Sequence, residues 1–284
     1  MENKKEILAV IVSYNPDEEI IRCYNSIKEQ ADKIIIVDNF SQDEKSKQYL
    51  KCLSVEAEII YNDRNYGIAK ALNQAAKYAL DNNYKWLLTA DQDSEFLPNI
   101  YSLMLSSYEK MPDKAKTMLI APQFKKRIEH EEQNALVIND INWQKETLII
   151  TSGSLIKTEI FKQIGFFEEK LFIDRVDFDF CFRINMNGFI TKVAKNLFFI
   201  CEFAKEEKKH SFTVINYSAK RRYYITKNTV YLLKYFFKFP KEILYLTIND
   251  CFLPLFIIVF FETDKFNKIK NIFSGFIDGI LNRY

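Results

Sequence analysis

Histidine is almost missing from this 284-residue chain: only His130 and His210 occur, far apart and in unlike surroundings. That argues against a histidine-rich zinc site, and a Ser-His-Asp hydrolase would have to draw on one of those two. Glycine is nearly as scarce. Gly67, Gly153, Gly165, Gly188, Gly275 and Gly279 are scattered, so neither a G-x-G-x-x-G fingerprint nor a Walker loop can be assembled. The cysteines, at 23, 52, 181, 201 and 251, are odd in number and form no C-x-x-C pair, which reads as thiols buried in a reducing compartment. Long apolar runs are also lacking. The longest, 251–261, is interrupted by Pro254 and is about half of the ~20 residues a membrane span needs, so no transmembrane helix is expected. Residues 1–6 are charged and lead straight into an apolar strand without a signal-peptide core, so the protein is expected in the cytoplasm. A formal charge of +2 gives no argument for nucleic acid, and no binding motif for it occurs.

What is present is a globular composition, 48% apolar with both signs of charge interspersed. Short apolar runs at 7–12, 33–37, 57–61 and 85–90 are rich in Ile, Val, Leu or aromatics and too short for helices, so each reads as a fully buried strand. Between them, 17–29, 43–53 and 68–81 carry apolar residues at three- and four-residue spacing and read as helices. Strand and helix in alternation imply an α/β fold with a mostly parallel central sheet flanked by helices. Ligands of such sheets bind at the strands' carboxyl ends. Polar residues stand there: Ser13-Tyr14-Asn15, Asp38-Asn39, Asp63 with Asn65, and Asp91-Gln92-Asp93. Further on, a helix follows Pro98, strands are expected near 117–121 and 147–156, 125–133 reads as a solvated loop, and 175–186 reads as a helix opening in carboxylates. From Tyr217 the chain turns to long helical patterns, giving a catalytic domain over 1–216 and a helical extension over 217–284.

Two acidic groups can carry chemistry. In an extended segment the side chains of Asp91 and Asp93 point the same way and offer hard oxygens to Mg²⁺ or Mn²⁺. The plain alternative is an Asp-rich turn in which Asp93 or Ser94 caps the next helix. Asp174, Asp177 and Asp179 form the second group. Asp174 and Asp177 share a helical face, either as cap and capping-box residue or with one of them as a general base; Asp179 and Arg183 could be a helical ion pair.

The order Val10-Ile11-Val12-Ser13-Tyr14-Asn15, Ile36-Val37-Asp38-Asn39, Asn65-Tyr66-Gly67-Ile68-Ala69 and Asp91-Gln92-Asp93-Ser94 resembles the inverting glycosyltransferases of family two. Ser152-Gly153-Ser154-Leu155-Ile156 and Gly165-Phe166-Phe167-Glu168-Glu169 fit as well, and 171–179, Leu-Phe-Ile-Asp-Arg-Val-Asp-Phe-Asp, is similar to the bacterial rhamnosyltransferase branch. The resemblance covers about 7–228. It implies a GT-A-type nucleotide-sugar-binding fold and transfer of a sugar, with dTDP-rhamnose the implied donor, to a saccharide or lipid-linked acceptor in cell-surface polysaccharide synthesis. By position it implies Ser13, Tyr14, Asn15, Asp38, Asn39, Asn65, Gly67, Asp91, Gly153 and Ser154 around the nucleotide sugar. Asp91 and Asp93 would hold the metal, and Asp177 would be the base. One departure stands out. The branch carries a histidine after the strand that follows the acidic helix, whereas this chain reads Leu197-Phe198-Phe199-Ile200-Cys201-Glu202, leaving Glu202 or water to complete a metal shell and His210 to match a later position.

Arg221, Arg222, Tyr223, Tyr224, Lys227, Lys234, Phe236, Phe237, Lys238 and Lys241 interleave cations with aromatics. Such a helix suits peripheral contact with the inner face of the cell membrane, or else packs on the catalytic domain or a second subunit of a homo-oligomer. Two rival readings exist. A sugar-phosphate nucleotidyltransferase needs a glycine-rich loop where this chain has Ser13-Tyr14-Asn15-Pro16-Asp17. A degenerate transferase kept as an assembly partner is motivated by the missing histidine and opposed by the intact Asp91, Asp93 and Asp177.

Overall fold

The computed structural model describes residues 5–127, 140–201, 206–209 and 212–284. His130, Glu202, His210 and most of the 125–133 loop lie outside the described residues. The chain divides into two units, one of 1–167 with 180–202, the other of 168–179 with 203–284. The stretch 168–179 therefore groups with the C-terminal helices, although it sits well inside the 1–216 span.

In the first unit, β1 (Ile7–Ser13), β2 (Lys33–Asp38), β3 (Glu58–Tyr61) and β4 (Trp86–Asp91) stand where the apolar runs place them, with α1 (Glu19–Ile27), α2 (Glu44–Leu53) and α3 (Ile68–Asp81) between. The four strands pair in parallel in the order β3-β2-β1-β4. Both faces of the central pair are covered, which is why their sequences do not alternate. Ala9 and Ile11 pack into a core with Ile20, Cys23 and Ile27 of α1. On the opposite face, by strand alternation, Leu8 and Val10 meet α3, whose buried Ala69, Ala75, Ala76 and Ala79 let the helix lie close. Each fully buried Leu, Ile or Val contributes about 1.5–3 kcal/mol.

Beyond β4 come β5 (Ser94–Glu95), α4 (Ile100–Glu109), β6 (Thr117–Lys126), β7 (Trp143–Lys145), β8 (Ser154–Lys157), α5 (Ile160–Ile164), α6 (Val176–Met186) and β9 (Ile190–Cys201). The sheet continues β4-β8-β6-β9-β5, with β7 added to β9. This half is mixed rather than parallel, because β8 runs antiparallel to both β4 and β6 while β6 and β9 are parallel. The strand expected over 147–156 forms only from Ser154. The Ser154 amide closes a turn onto the Thr151 carbonyl at 3.0 Å, and the Ser154 hydroxyl reaches the Ile150 carbonyl at 2.8 Å, so 147–153 leaves the sheet.

The second unit holds a hairpin of β10 (Glu206–Lys209) and β11 (Phe212–Ile215), then α7 (Ala219–Tyr235), α8 (Pro240–Thr247), a π-helical turn (Ile248–Phe252), α9 (Leu253–Phe261) and α10 (Lys265–Leu281). Pro254 does not interrupt the helix as the sequence reading held. It falls in the first turn of α9, directly after the π turn, where a missing N–H costs little. Pro240–Phe261 is thus one 22-residue helix, and among the described residues the one long and apolar enough to cross a membrane by length and composition. Its inner side is packed, with Ile243, Leu246, Asp250, Ile257 and Ile258 buried.

The structure corrects part of the reading of α7 as a surface helix with its cations outward: Lys220 and Lys234 are exposed, but Arg222 and Lys227 point inward. Arg222, Thr226, Lys227, Asn228 and Thr229 are all buried. Arg222 and Lys268 share the buried carboxylate of Glu262 at 2.5 and 2.7 Å, which leaves no charge of the trio without a partner. The Lys227 ammonium lies 4.8–5.3 Å from the ring centroids of Tyr223, Tyr224 and Tyr284. Helix α10 packs on α7 through Gly275 and Gly279. A Cβ at Gly275 would sit 2.4 Å from the Tyr223 carbonyl oxygen, so only glycine allows this approach.

Candidate active site

The carboxyl ends of β1, β2 and β4 bring most of the singled-out residues into one place. Ser13 is buried, and its carbonyl accepts the Asn39 amide at 2.7 Å. Tyr14 follows, half exposed, and Asn15 takes a left-handed φ of 45°. This short loop is held from two sides. The Gln92 side chain accepts the Tyr14 amide at 2.9 Å, while the Asn15 amide donates to Ser41 Oγ at 2.8 Å and Asn15 Oδ1 accepts the Gln42 amide at 2.9 Å.

Asp38 and Asn39 are buried hubs. Asp38 accepts both the amide (3.0 Å) and the hydroxyl of Ser41. Asn39 Nδ2 donates to Asn65 Oδ1 at 3.0 Å and the Gly67 carbonyl at 3.1 Å, and its Oδ1 accepts the Tyr66 amide at 3.0 Å. Asn65 in turn accepts the Gly67 amide at 2.9 Å, at the start of α3. The end of β2 and the 62–67 loop are thereby tied into one rigid rim. Exposed aromatic rings stand about it: Tyr14, Phe40 and Tyr61.

Asp91 ends β4, but Gln92 and Asp93 form a turn into β5 rather than an extended segment, so the two carboxylates are not related by strand alternation. Both nonetheless act on the same two thiols, Cys23 and Cys201. Burial first, then the charges of Asp91 and Asp93, hold the Cys23 thiol well above its ordinary range, and the same three causes push Cys201 up to about 12. Cys201 stands opposite Ser94 in the β5–β9 pairing, so the strand end that lacks the histidine abuts the acidic turn. The turn is fixed from beneath. Ser152 Oγ accepts the Asp91 amide at 3.0 Å and lies 2.7 Å from Ser94 Oγ, and the Cys23 thiol donates to the Asp91 carbonyl at 3.3 Å. Neither Asp93 nor Ser94 caps α4, whose N-cap is Asn99.

Gly153 supports the same turn. Its amide meets the Thr89 carbonyl at 2.7 Å, its φ is +80°, and a Cβ would lie 3.0 Å from the Phe199 ring. Ser154 is fully buried with its hydroxyl spent on Ile150. Asp91 and Asp93 fit a hard divalent ion as two carboxylates on one turn. Among the described residues no cluster of three or more His, Cys, Asp or Glu could hold one.

In the C-terminal unit, Asp174 and Arg175 precede α6 with successive left-handed φ values of 62° and 67°. Such a pair of non-glycine residues persists only where its surroundings impose it. Arg221 holds the Asp174 carboxylate with two bonds at 3.0 and 3.2 Å. Asn228 donates to the carbonyls of Ile173 and Asp174 at 2.8 and 2.9 Å. Arg175 pairs in a fork with Asp250, which also accepts the Thr229 hydroxyl at 2.6 Å. Asp174 is therefore bound to a guanidinium and is not the cap of α6.

Asp177, in the first turn, is partly buried, and its Oδ1 accepts the Phe178 amide at 2.9 Å. Burial pushes its carboxyl up to about 6, while Arg175 and the Phe178 amide pull it down and Asp174 raises it. A carboxylate poised near neutrality is suited to accepting a proton. Asp179 is fully buried. Gln92, Ser152, Ser41 and the Arg175–Asp250 pair were not picked out from sequence. Gln92 and Ser152 lie inside the quoted motifs, whereas nothing in the sequence joins positions 175 and 250.

A family model described as Glycosyl transferase family 2 matches residues 8–165. The chain is 28% identical over 252 residues, 80% of each chain, to the dTDP-rhamnosyl transferase RfbF of Shigella flexneri. It is 30% identical over 92 residues to the SPbeta prophage-derived glycosyltransferase SunS of Bacillus subtilis, covering 32% of this chain and 20% of that one. Among solved structures, S. aureus TarS 1–349 in complex with UDP-GlcNAc superposes with a TM-score of 0.61 at 16% identity, over 97% of this chain and 81% of that one. GalNAc-T7 with UDP, GalNAc and Mn²⁺ gives 0.60 at 16% identity over 82% of this chain, which spans 48% of that structure's length. The likeness to both is one of fold, the GT-A type expected from the sequence.

Proposed function

Because the chain belongs to glycosyl transferase family 2, we propose that it transfers rhamnose from dTDP-rhamnose, with inversion, to a hydroxyl of a saccharide or lipid-linked saccharide on the cytoplasmic side of the membrane. The observation that carries the donor choice is the 28% identity extending over 80% of both chains to a dTDP-rhamnosyl transferase. The rim of Tyr14, Asp38, Asn39, Asn65 and Gly67 takes the nucleoside, the ring of Tyr14 packing on the base. Gly153 and Ser154 shape the turn beneath the diphosphate.

Asp91 and Asp93 would hold Mg²⁺ or Mn²⁺, which when bound neutralises charge on the departing diphosphate. Asp177 takes the proton from the acceptor hydroxyl as its oxygen bonds to the anomeric carbon. The bond from that carbon to the phosphate oxygen breaks, and dTDP leaves with the electron pair. A single displacement needs one base, and the raised affinity of Asp177 for protons supports its candidacy.

The test is thermal protection by a panel of nucleotide sugars with and without Mn²⁺, followed by transfer assays with the protecting donor. Protection by dTDP-rhamnose above UDP- and GDP-sugars is expected. Stronger protection by another donor would overturn the sugar assignment.

A further inference from the structure

Among the described residues, exposed large apolar side chains concentrate in the C-terminal unit. Fifteen of the twenty-two lie between 237 and 284. On Pro240–Phe261 the outward side carries Leu244, Tyr245, Ile248, Phe252, Phe256 and Phe260, and no charged residue is exposed from 243 to 261 because Asp250 turns inward. On α10, Phe266, Phe273 and Ile277 share one exposed side with Lys270 at helical spacing.

We propose that this surface docks the protein on an anionic lipid bilayer, lying in its interface rather than spanning it. Charge decides the occupant. Lys238, Lys241, Lys265, Lys270 and Arg283 are exposed along the apolar side chains. Of the acids in the same stretch, Asp250 and Glu262 are buried in ion pairs and Asp278 is engaged by Tyr223 and Arg283, leaving Glu242 and Asp264. Phenylalanine with flanking lysine is the composition of interfacial helices, whose long cations reach headgroups while their stems stay apolar. The core of a protein–protein interface is instead depleted of lysine. Spanning is excluded by the buried side of the same helix, where Asp250 is paired with Arg175 and cannot face hydrocarbon.

The surface differs from the one anticipated on 221–241, of which only the last residues contribute. It also stands apart from the donor assignment, since its test involves no transfer. The full chain is floated with phosphatidylcholine vesicles, with and without phosphatidylglycerol, and sedimented without lipid. Binding to the anionic vesicles is expected, with Lys241→Ala/Lys270→Ala lowering the partition coefficient roughly 30-fold, from about 1 kcal/mol per basic residue. Phe252→Ser/Phe256→Ser/Phe260→Ser, all at exposed positions, should keep the melting temperature and lose binding. Failure of the wild type to float, or unchanged flotation of the folded triple variant, overturns the proposal. Absence of flotation together with a lipid-free dimer that the triple variant dissociates would assign the face to a second copy of the chain.

Discussion

Replacing Asp177 by Asn should make the protein more stable at neutral pH while nearly abolishing transfer. The carboxyl's pKa rises from an ordinary 3.8 to about 6 in the fold, chiefly through burial. Between those values the folded state binds more protons than the unfolded one, so stability falls as pH rises from about 4 to 6 and the loss is complete above 6. Two units correspond to about 3 kcal/mol, a ceiling to be discounted because solvent still reaches the group. The amide carries no such penalty. In denaturant titrations Asp177→Asn should exceed wild type by up to about 3 kcal/mol at pH 7 and match it near pH 4. Transfer by the variant should fall by roughly 10²–10⁴, and wild-type transfer should decline as pH drops through 6. A helix-stabilising carboxylate gives the opposite sign, since its loss costs up to about 1 kcal/mol at pH 7. An Asn variant less stable than wild type at pH 7, or one transferring sugar at the normal rate, would refute the reasoning. Asp174→Asn is the control, because that residue is held by Arg221 and sits beside the same helix start.

Calorimetry with dTDP should show affinity lost on adding EDTA and in Asp93→Ala; equal affinity with and without metal would remove the ion from the site. Asp250→Ala leaves the Arg175 guanidinium without its carboxylate and should cost about 3–5 kcal/mol, read as a shift in the denaturant midpoint. Gly275→Ala places a methyl group 2.4 Å from the Tyr223 carbonyl and should cost about 1–3 kcal/mol or more, whereas Gly188→Ala, with open space around it, should lose only what its left-handed φ demands.

The parallel half of the sheet is legible because β1, β2 and β4 are short apolar runs ended by polar residues, a pattern that both-face burial imposes, whereas β3, expected to be fully buried as well, is an edge strand whose residues are partly or fully exposed. The apolar run Leu148-Ile149-Ile150 carries the same signal without being a strand, since the Thr151–Ser154 turn and its side-chain bonds take those residues out of the ladder. Asp91 and Asp93 could be found from their place at a strand end. Their relative orientation could not, because the 92–93 turn is set by Ser152, which lies 61 residues from Asp91. The basic and aromatic spacing of α7 is a surface signal, yet the buried Glu262 and a tyrosine cluster take up two of its charges, those of Arg222 and Lys227. Pro254 looks like a break in the sequence because a π turn ahead of it has no signature in residue spacing.

The clamp on residues 173–175 has a consequence for modularity. Arg221, Asn228 and Asp250 grip a loop 47–75 positions upstream, so the C-terminal helices and the 168–179 segment form one exchangeable part. A chimera joined at 216 would import helices whose arginine and aspartate face strangers and would leave Arg175 charged and unmatched. A graft that carries 168–179 together with 203–284 transfers both ion pairs intact. Recombination between relatives should then respect three seams, at 167/168, 179/180 and 202/203, and substitutions at 174 and 221, or at 175 and 250, should be tolerated in pairs before they are tolerated singly.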